Sequence, residues 1–380
     1  MEFQPYPFEK LQALIQGIPT SKERISLTIG EPQFQTPKNI CDALKDSVDL
    51  LNKYPKTAGE DDLKQAMLDF IKHRFNLHLD STMLIPTFGT REVLFNFPQF
   101  YLFDKNSPTI AHPNPFYQIY EGASIAARAE TIYMNLTPQN NFTPSLTKEQ
   151  MQKCHLVILN SPNNPTGSTM SKDALKQWVN YALEYDFLLL NDECYSEIYT
   201  DEKPTSLLQA SVEVGNTEFR NILSLNSISK RSSAPGLRSG FIAGDPKVLK
   251  DYMQYRTYVG CASPLPLQKA ASIAWSDEEH TKHSRQEYAK NLKLAQEILC
   301  KKIPNLPIPK ETFYVWLPVA NDLEFTRNLL EKENILVLPG SFLSRTDKQG
   351  QNPGSNFVRL ALVYEEAIIK DALLRIAKWI

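Results

Sequence analysis

Hydrophobic positions along this chain follow two rhythms that alternate through its middle. Short runs rich in Ile, Leu and Val stand at 108–112 (PTIAH), 131–135 (TIYMN), 155–160 (HLVILN), 186–191 (DFLLLN), 221–226 (NILSLN) and 239–244 (SGFIAG). Apolar runs of this length predict strands buried on both faces. Between several of them the spacing becomes helical. Leu63, Ala66, Met67, Phe70 and Ile71 make one stripe; Leu175, Trp178, Val179 and Ala182 make another, after Ser171 as N-cap. Strands alternating with helices predict an α/β domain with a mainly parallel sheet.

The pattern changes after about residue 262. A charged helical stretch over about 279–302 leads into strand-like TFYVWLPV (312–319), NILVLPG (334–340) and NFVRLALV (356–363), and the tail EEAIIKDALLRIAKWI reads as an amphipathic helix. This predicts a second, α+β domain. The first 40 or so residues, rich in Pro and Gly, stand outside the alternation and are expected to pack with it. The division expected is a large domain over 45–262 and a small one built from 1–44 and 263–380.

Bulk properties narrow the function classes. A chain of 380 residues exceeds what a single core usually supports. A net charge of -2 and a pI near 6.3 argue against a polyanion binder. The N-terminus lacks a basic segment followed by an apolar core, so no signal peptide is expected, and no apolar run approaches a membrane span. The five cysteines are scattered without a CxxC pair, and the six histidines show no ligand spacing. A cytoplasmic protein with reduced thiols and no metal is expected.

Ligands of open α/β sheets bind beyond the carboxyl ends of the strands. The polar residues there are Ser161–Gly167 (SPNNPTG), Asp192–Tyr195 (DECY) and SISK ending at Lys230, with Arg238 close behind. A carboxylate, an amide, a phenol and a lysine suit pyridoxal 5'-phosphate. Lys230 can hold its aldehyde as a Schiff base and Asp192 can pair with its ring nitrogen. Asn164 and Tyr195 can donate to its phenolate oxygen, and Ser227, Ser229 and Arg238 can grip its phosphate. FGTREVLF (88–95) reads as a glycine turn opening a helix, which would aim the backbone N–H groups of Thr90 and Arg91 at the same phosphate. The competing readings are plain ones: Lys230 as a surface lysine, Asp192 and Asn164 as turn formers, Arg359 as half of a structural ion pair, and Cys194 as a buried thiol.

The ordered set IGEPQFQTP (29–37), YPKTAGEDDLKQAM (54–67), FGTRE (88–92), PFYQIY (115–120), SPNNPTG, DECYSEIY (192–199), SISKRSSAPGLRSG (227–240) and VRLALV (358–363) resembles the class I/II aminotransferases of fold type I over essentially the whole chain. The resemblance implies a large, mainly parallel seven-stranded α/β/α domain with a smaller α+β domain, and transamination with pyridoxal 5'-phosphate. It implies Lys230, Asp192 and Tyr195 as catalytic residues, and Gly30, Asn164 and Arg359 as ligands of the substrate carboxylate. It also implies that Tyr117 stacks on the cofactor, Phe116 being its neighbour, and that Tyr54 reaches the phosphate of a second subunit in a homodimer with shared sites. Ser161-Pro162 stands where the family often has Asn-Pro.

Stretches such as QPYPFEKLQAL (4–14), PNPFYQIYEGAS (113–124) and YRTYVGCASPLPLQ (255–268) are similar to the succinyldiaminopimelate aminotransferase branch of lysine biosynthesis. That similarity implies N-succinyl-LL-2,6-diaminopimelate as amino donor and 2-oxoglutarate as acceptor. Acetylated diaminopimelate, acetylornithine or aspartate as donor, or a lyase or decarboxylase on the same scaffold, are the alternatives. A transcription regulator of this fold is not expected, since the family motifs leave no room for a DNA-binding domain. Arg256, Arg345 and Arg24 are the candidates for reading the distal end of an acidic substrate.

Overall fold

The two helical stripes become buried helix faces. Asp61–Phe75 buries Leu63, Ala66, Met67, Phe70 and Ile71, and Lys172–Tyr185 buries Leu175, Trp178, Val179 and Ala182. Ser171 caps the second, its Oγ accepting from the Ala174 N–H at 3.2 Å. Both helices stop at a left-handed residue, Asn76 and Asp186, each with φ of 55°. These are features of a computed structural model describing residues 3–19 and 23–380.

The apolar runs assemble into a seven-stranded sheet. Its strands are β1 (Leu84–Thr87), β2 (Thr109–Asn114), β3 (Glu130–Asn135), β4 (Leu156–Asn160), β5 (Leu188–Asp192), β6 (Ile222–Ser227) and β7 (Gly240–Gly244). The spatial order is β1-β7-β6-β5-β4-β2-β3. Neighbours from β3 across to β6 pair in parallel, while β7 runs antiparallel to both β1 and β6. Every residue of β4, β5, β6 and β7 is buried, as helices cover both faces. Strand β1, "LIPT", is absent from the sequence reading. Its Pro86 lacks an N–H and marks an edge strand, where that loss is tolerated.

The reversed direction of β7 decides where the site forms. Gly240, its first residue, pairs with Ser227 at the end of β6 and with Thr87 at the end of β1. The residues that enter β7, Arg238 among them, therefore meet the carboxyl ends of β5 and β6.

A second sheet holds β8 (Tyr314–Pro318), β9 (Leu338–Pro339) and β10 (Phe357–Ala361) in the order β9-β10-β8. Its core includes Leu27, Leu292, Val315, Leu317, Val358 and Leu360. Helix Pro7–Ile15 joins this lobe, with Leu11 and Ile15 packed beside Trp316 and Leu336. Ile40 of helix Lys38–Asp46 and the buried face of helix Leu265–Ser276, by contrast, pack into the core of the large sheet with Phe70 and Phe241. We propose from this packing that the large lobe takes in these two helices, while the preceding arm and the chain from Glu279 onward form the small lobe. Among the described residues no helix is long and apolar enough to cross a membrane.

Candidate active site

A cavity of about 420 Å³ opens between the lobes at the ends of β4, β5 and β6. It gathers Gly30, Thr90, Arg91, Tyr117, Asn164, Asp192, Tyr195, Ser227, Ser229, Lys230, Arg238 and Arg359 around one space. Of the residues expected to hold the cofactor or the substrate α-carboxylate, Tyr54 lies elsewhere, its side chain fully exposed.

The large lobe supplies one wall. Strand β6 ends in Ser227, which caps the one-turn helix Ile228–Arg231: its Oγ accepts from the Ser229 N–H at 3.1 Å and contacts Ser229 Oγ at 2.9 Å. Lys230 rides on this turn, and its Nζ donates to the Gly30 carbonyl at 2.5 Å. Removal from water, with Arg359 and Arg238 nearby, lowers the Lys230 pKa to about 8 despite opposing contributions from Cys194 and Glu31. Arg238 has φ of 51° and donates to the Pro235 carbonyl at 2.9 Å. A Cβ at Gly89 would fall 2.0 Å from an Arg238 terminal nitrogen. Glycine therefore gives this guanidinium room beside the first turn of Thr90–Tyr101.

Asp192 closes β5 and is buried. Its Oδ2 accepts from Tyr120 Oη at 2.8 Å and its Oδ1 from the Cys194 N–H at 3.2 Å. Burial raises its pKa, and those donors oppose the rise. Tyr195 is buried, its pKa pushed well above the usual phenol value by desolvation, and its Oη lies 3.0 Å from Tyr314 Oη. Tyr117 lines the cavity and accepts from Arg91 Nε at 2.8 Å, whereas Phe116 sits in the core against His112 and Tyr133.

The small lobe supplies the other wall. Arg359 on β10 donates to Asn164 Oδ1 at 2.6 Å and to the Thr28 carbonyl, and lies 4.4 Å over the Tyr314 ring. Its Nε is buried without a hydrogen-bond partner among the described residues. Gly30 is confined by Tyr314: a Cβ there would fall 1.8 Å from the phenol oxygen.

The three arginines expected to read a distal acidic group stand apart from the cavity lining. Arg256 is buried against Glu92 at 3.1 Å, Arg345 is held by both carboxylate oxygens of Glu121, and Arg24 is exposed. Arg91 lines the cavity instead. Its Nε is fixed on Tyr117, and its two terminal nitrogens have no partner among the described residues. The sequence reading used only its backbone; its position on the first helical turn after Gly89 was the available signal. Tyr120 and Tyr314 were missed: Tyr120 ends the motif that carries Tyr117, but its partner Asp192 is 72 residues on; Tyr314 lies in an apolar strand, and its partner Tyr195 is 119 residues away.

A buried carboxylate at a strand end, a lysine of lowered pKa, and the Ser227–Ser229–Arg238 group beside a glycine-opened helix fit a phosphorylated, ring-nitrogen cofactor with an aldehyde. The family model for class I and II aminotransferases matches residues 22–376. The chain belongs to that family, and it is a pyridoxal 5'-phosphate-dependent aminotransferase of fold type I. It is 31% identical to an LL-diaminopimelate aminotransferase of Natranaerobius thermophilus, with 99% of this chain and 97% of that protein covered. It is 28% identical to an aspartate aminotransferase of Pyrococcus horikoshii, over 97% and 94%. The crystal structure of the aminotransferase AspB from Helicobacter pylori superposes with a TM-score of 0.96 at 50% identity, covering 100% of this chain and 99% of that one.

Proposed function

We propose that this aminotransferase moves the amino group of N-succinyl-LL-2,6-diaminopimelate to 2-oxoglutarate, giving N-succinyl-2-amino-6-oxopimelate and glutamate. The observation that carries the reading is Arg91. Lys230, Arg238 and Arg359 have tasks near the cofactor and the α-carboxylate, which leaves the Arg91 fork as the spare cation in the cavity. Both partners of the reaction carry a second carboxylate, and a guanidinium fork binds a carboxylate through two donors.

Ser227, Ser229 and Arg238, with the backbone of Thr90 and Arg91, bind the cofactor phosphate, and Tyr117 flanks its ring. Bound there, pyridoxal 5'-phosphate supplies an electron-withdrawing ring that stabilises negative charge at the substrate α-carbon. Asp192 holds a proton on the ring nitrogen. Arg359, Asn164 and Gly30 orient the α-carboxylate. Lys230 Nζ, once free, takes the α-proton, for which a pKa of about 8 suits it near neutral pH. Tyr195 would donate a hydrogen bond to the cofactor's ring oxygen. Tyr54 is exposed, which suits contact with a second subunit, and we propose a homodimer with shared sites. The five unpaired cysteines suit a reducing compartment, and we place the enzyme in the cytoplasm.

A second reading is LL-diaminopimelate itself, favoured by the LL-diaminopimelate aminotransferases among the relatives and by Glu31, an acid on the cavity wall that could hold a distal ammonium. The test is purified enzyme with 2-oxoglutarate and each donor in turn, reading glutamate. The proposal requires the succinylated donor to give the highest kcat/KM. A higher value for LL-diaminopimelate or aspartate replaces it.

A further inference from the structure

We infer that Tyr314 is a positioning residue that acts through Tyr195, supplying a hydrogen bond from the small lobe to the phenol that donates to the cofactor. The inference rests on the proposed role of Tyr195. Tyr314 opens β8 and pairs with Ala361 of β10, two residues beyond Arg359, so both side chains face the large lobe. It is buried, lines the cavity, and its ring meets that of Tyr195 at 5.4 Å and 65°. The two phenol oxygens lie 3.0 Å apart, and either geometry of donation is open in the free protein. With the Tyr195 O–H turned toward the cofactor's ring oxygen, only the Tyr314 proton could complete the bond between the two phenols. Tyr314 then donates to Tyr195, and a donor that itself accepts a hydrogen bond donates more strongly.

Two other contacts fix Tyr314 in this place. Gly30 leaves room for its hydroxyl, and Arg359 lies 4.4 Å over its ring. The phenol that supports the cofactor contact thus stacks under the arginine proposed to bind the substrate carboxylate.

The test reads the coenzyme-loaded protein by absorbance. Its visible band changes with pH at a midpoint that falls as the cofactor's ring oxygen is better supported by donors. Tyr314→Phe, which keeps the ring, should raise the midpoint by roughly half a unit to one unit, about the worth of one hydrogen bond. Tyr195→Phe should raise it further. The double variant should match Tyr195→Phe alone, because Tyr314 acts only through Tyr195. 3-Fluorotyrosine at position 314, a stronger donor of the same shape, should move the midpoint down and serves if Tyr314→Phe does not fold. The apoprotein's Kd for pyridoxal 5'-phosphate should rise by less than roughly tenfold in Tyr314→Phe. An unmoved midpoint in both Tyr314 replacements, or additive shifts in the double variant, overturns the inference. An unmoved midpoint in Tyr195→Phe removes the role of Tyr195 itself, a separate failure.

Discussion

The two walls of the cavity are built in opposite ways. The large-lobe wall draws Ser227, Ser229, Lys230 and Arg238 from the single segment 227–238, wound from the end of β6 to the entry of β7. The small-lobe wall takes Gly30, Tyr314 and Arg359 from three distant segments, and Arg359 reaches Asn164 across 195 residues of sequence. Local geometry builds this part of the first wall from one strand, one turn and one cap, and Asp192 joins it from the end of β5. The second exists only when both lobes have folded and docked. The difference implies that the cofactor half should tolerate disturbance of the small lobe, while the substrate half should not.

The strongest way to break the comparison is at the large-lobe wall. Lys230→Ala removes the proposed proton carrier and should lower kcat by roughly 10⁴-fold, the upper end for a general base, while the thermal midpoint of the apoprotein stays near wild type. Loss of folding instead would make Lys230 a structural residue. Next in size is Arg359→Gln. Cutting a buried charge-assisted contact should lower kcat/KM by roughly 10²–10³-fold for every donor, with the apoprotein's affinity for pyridoxal 5'-phosphate held within about threefold. Equal damage to both quantities would show that the walls are not separable.

Arg91→Gln should be smaller and selective. It should reduce kcat/KM for donors with a distal carboxylate by roughly 10–100-fold, and leave alanine, which lacks one, nearly unchanged. A uniform loss would assign Arg91 to the cofactor through Tyr117.

The smallest effect concerns pH and the apoprotein. Lys230 titrates at about 8 in the fold, against an ordinary lysine value of 10.5. Below pH 8 the amine is protonated in both folded and unfolded chains, and its burial costs stability. Between about 8 and 10.5 the folded protein has already released the proton that the unfolded chain keeps. Wild type should therefore gain stability relative to Lys230→Met as pH rises through that window, measured as the difference between two denaturant series. A constant difference would mean that the amine titrates normally.

Much of the large lobe was legible in the sequence because its signals are local. The stripes of Asp61–Phe75 and Lys172–Tyr185 needed only helical spacing, and Asp192 stood out because an apolar strand delivers it. The proposed distal cation, Arg91, was not legible. Arg256 and Arg345 look available until their acidic partners are seen, and Glu92 and Glu121 lie 164 and 224 residues away. Tyr120 gave no hint that its hydroxyl serves Asp192, 72 residues on. Helix Leu265–Ser276, beyond the break in pattern at 262, shares a core with Phe70 and Phe241, since its apolar face suits either lobe and only docking selects one.

By itself the sequence determined the alternation of strand and helix, the polar residues at the strand ends, and the segment that carries Ser227, Ser229, Lys230 and Arg238. Those features depend on periodicity, capping and turn geometry, which act over a few residues. Tertiary structure alone decided that Arg91 keeps a free fork, that Arg256 and Arg345 are neutralised, and that Tyr314 meets Tyr195. A charge or a hydroxyl is defined by its partner, and chain folding, not proximity in sequence, chooses that partner.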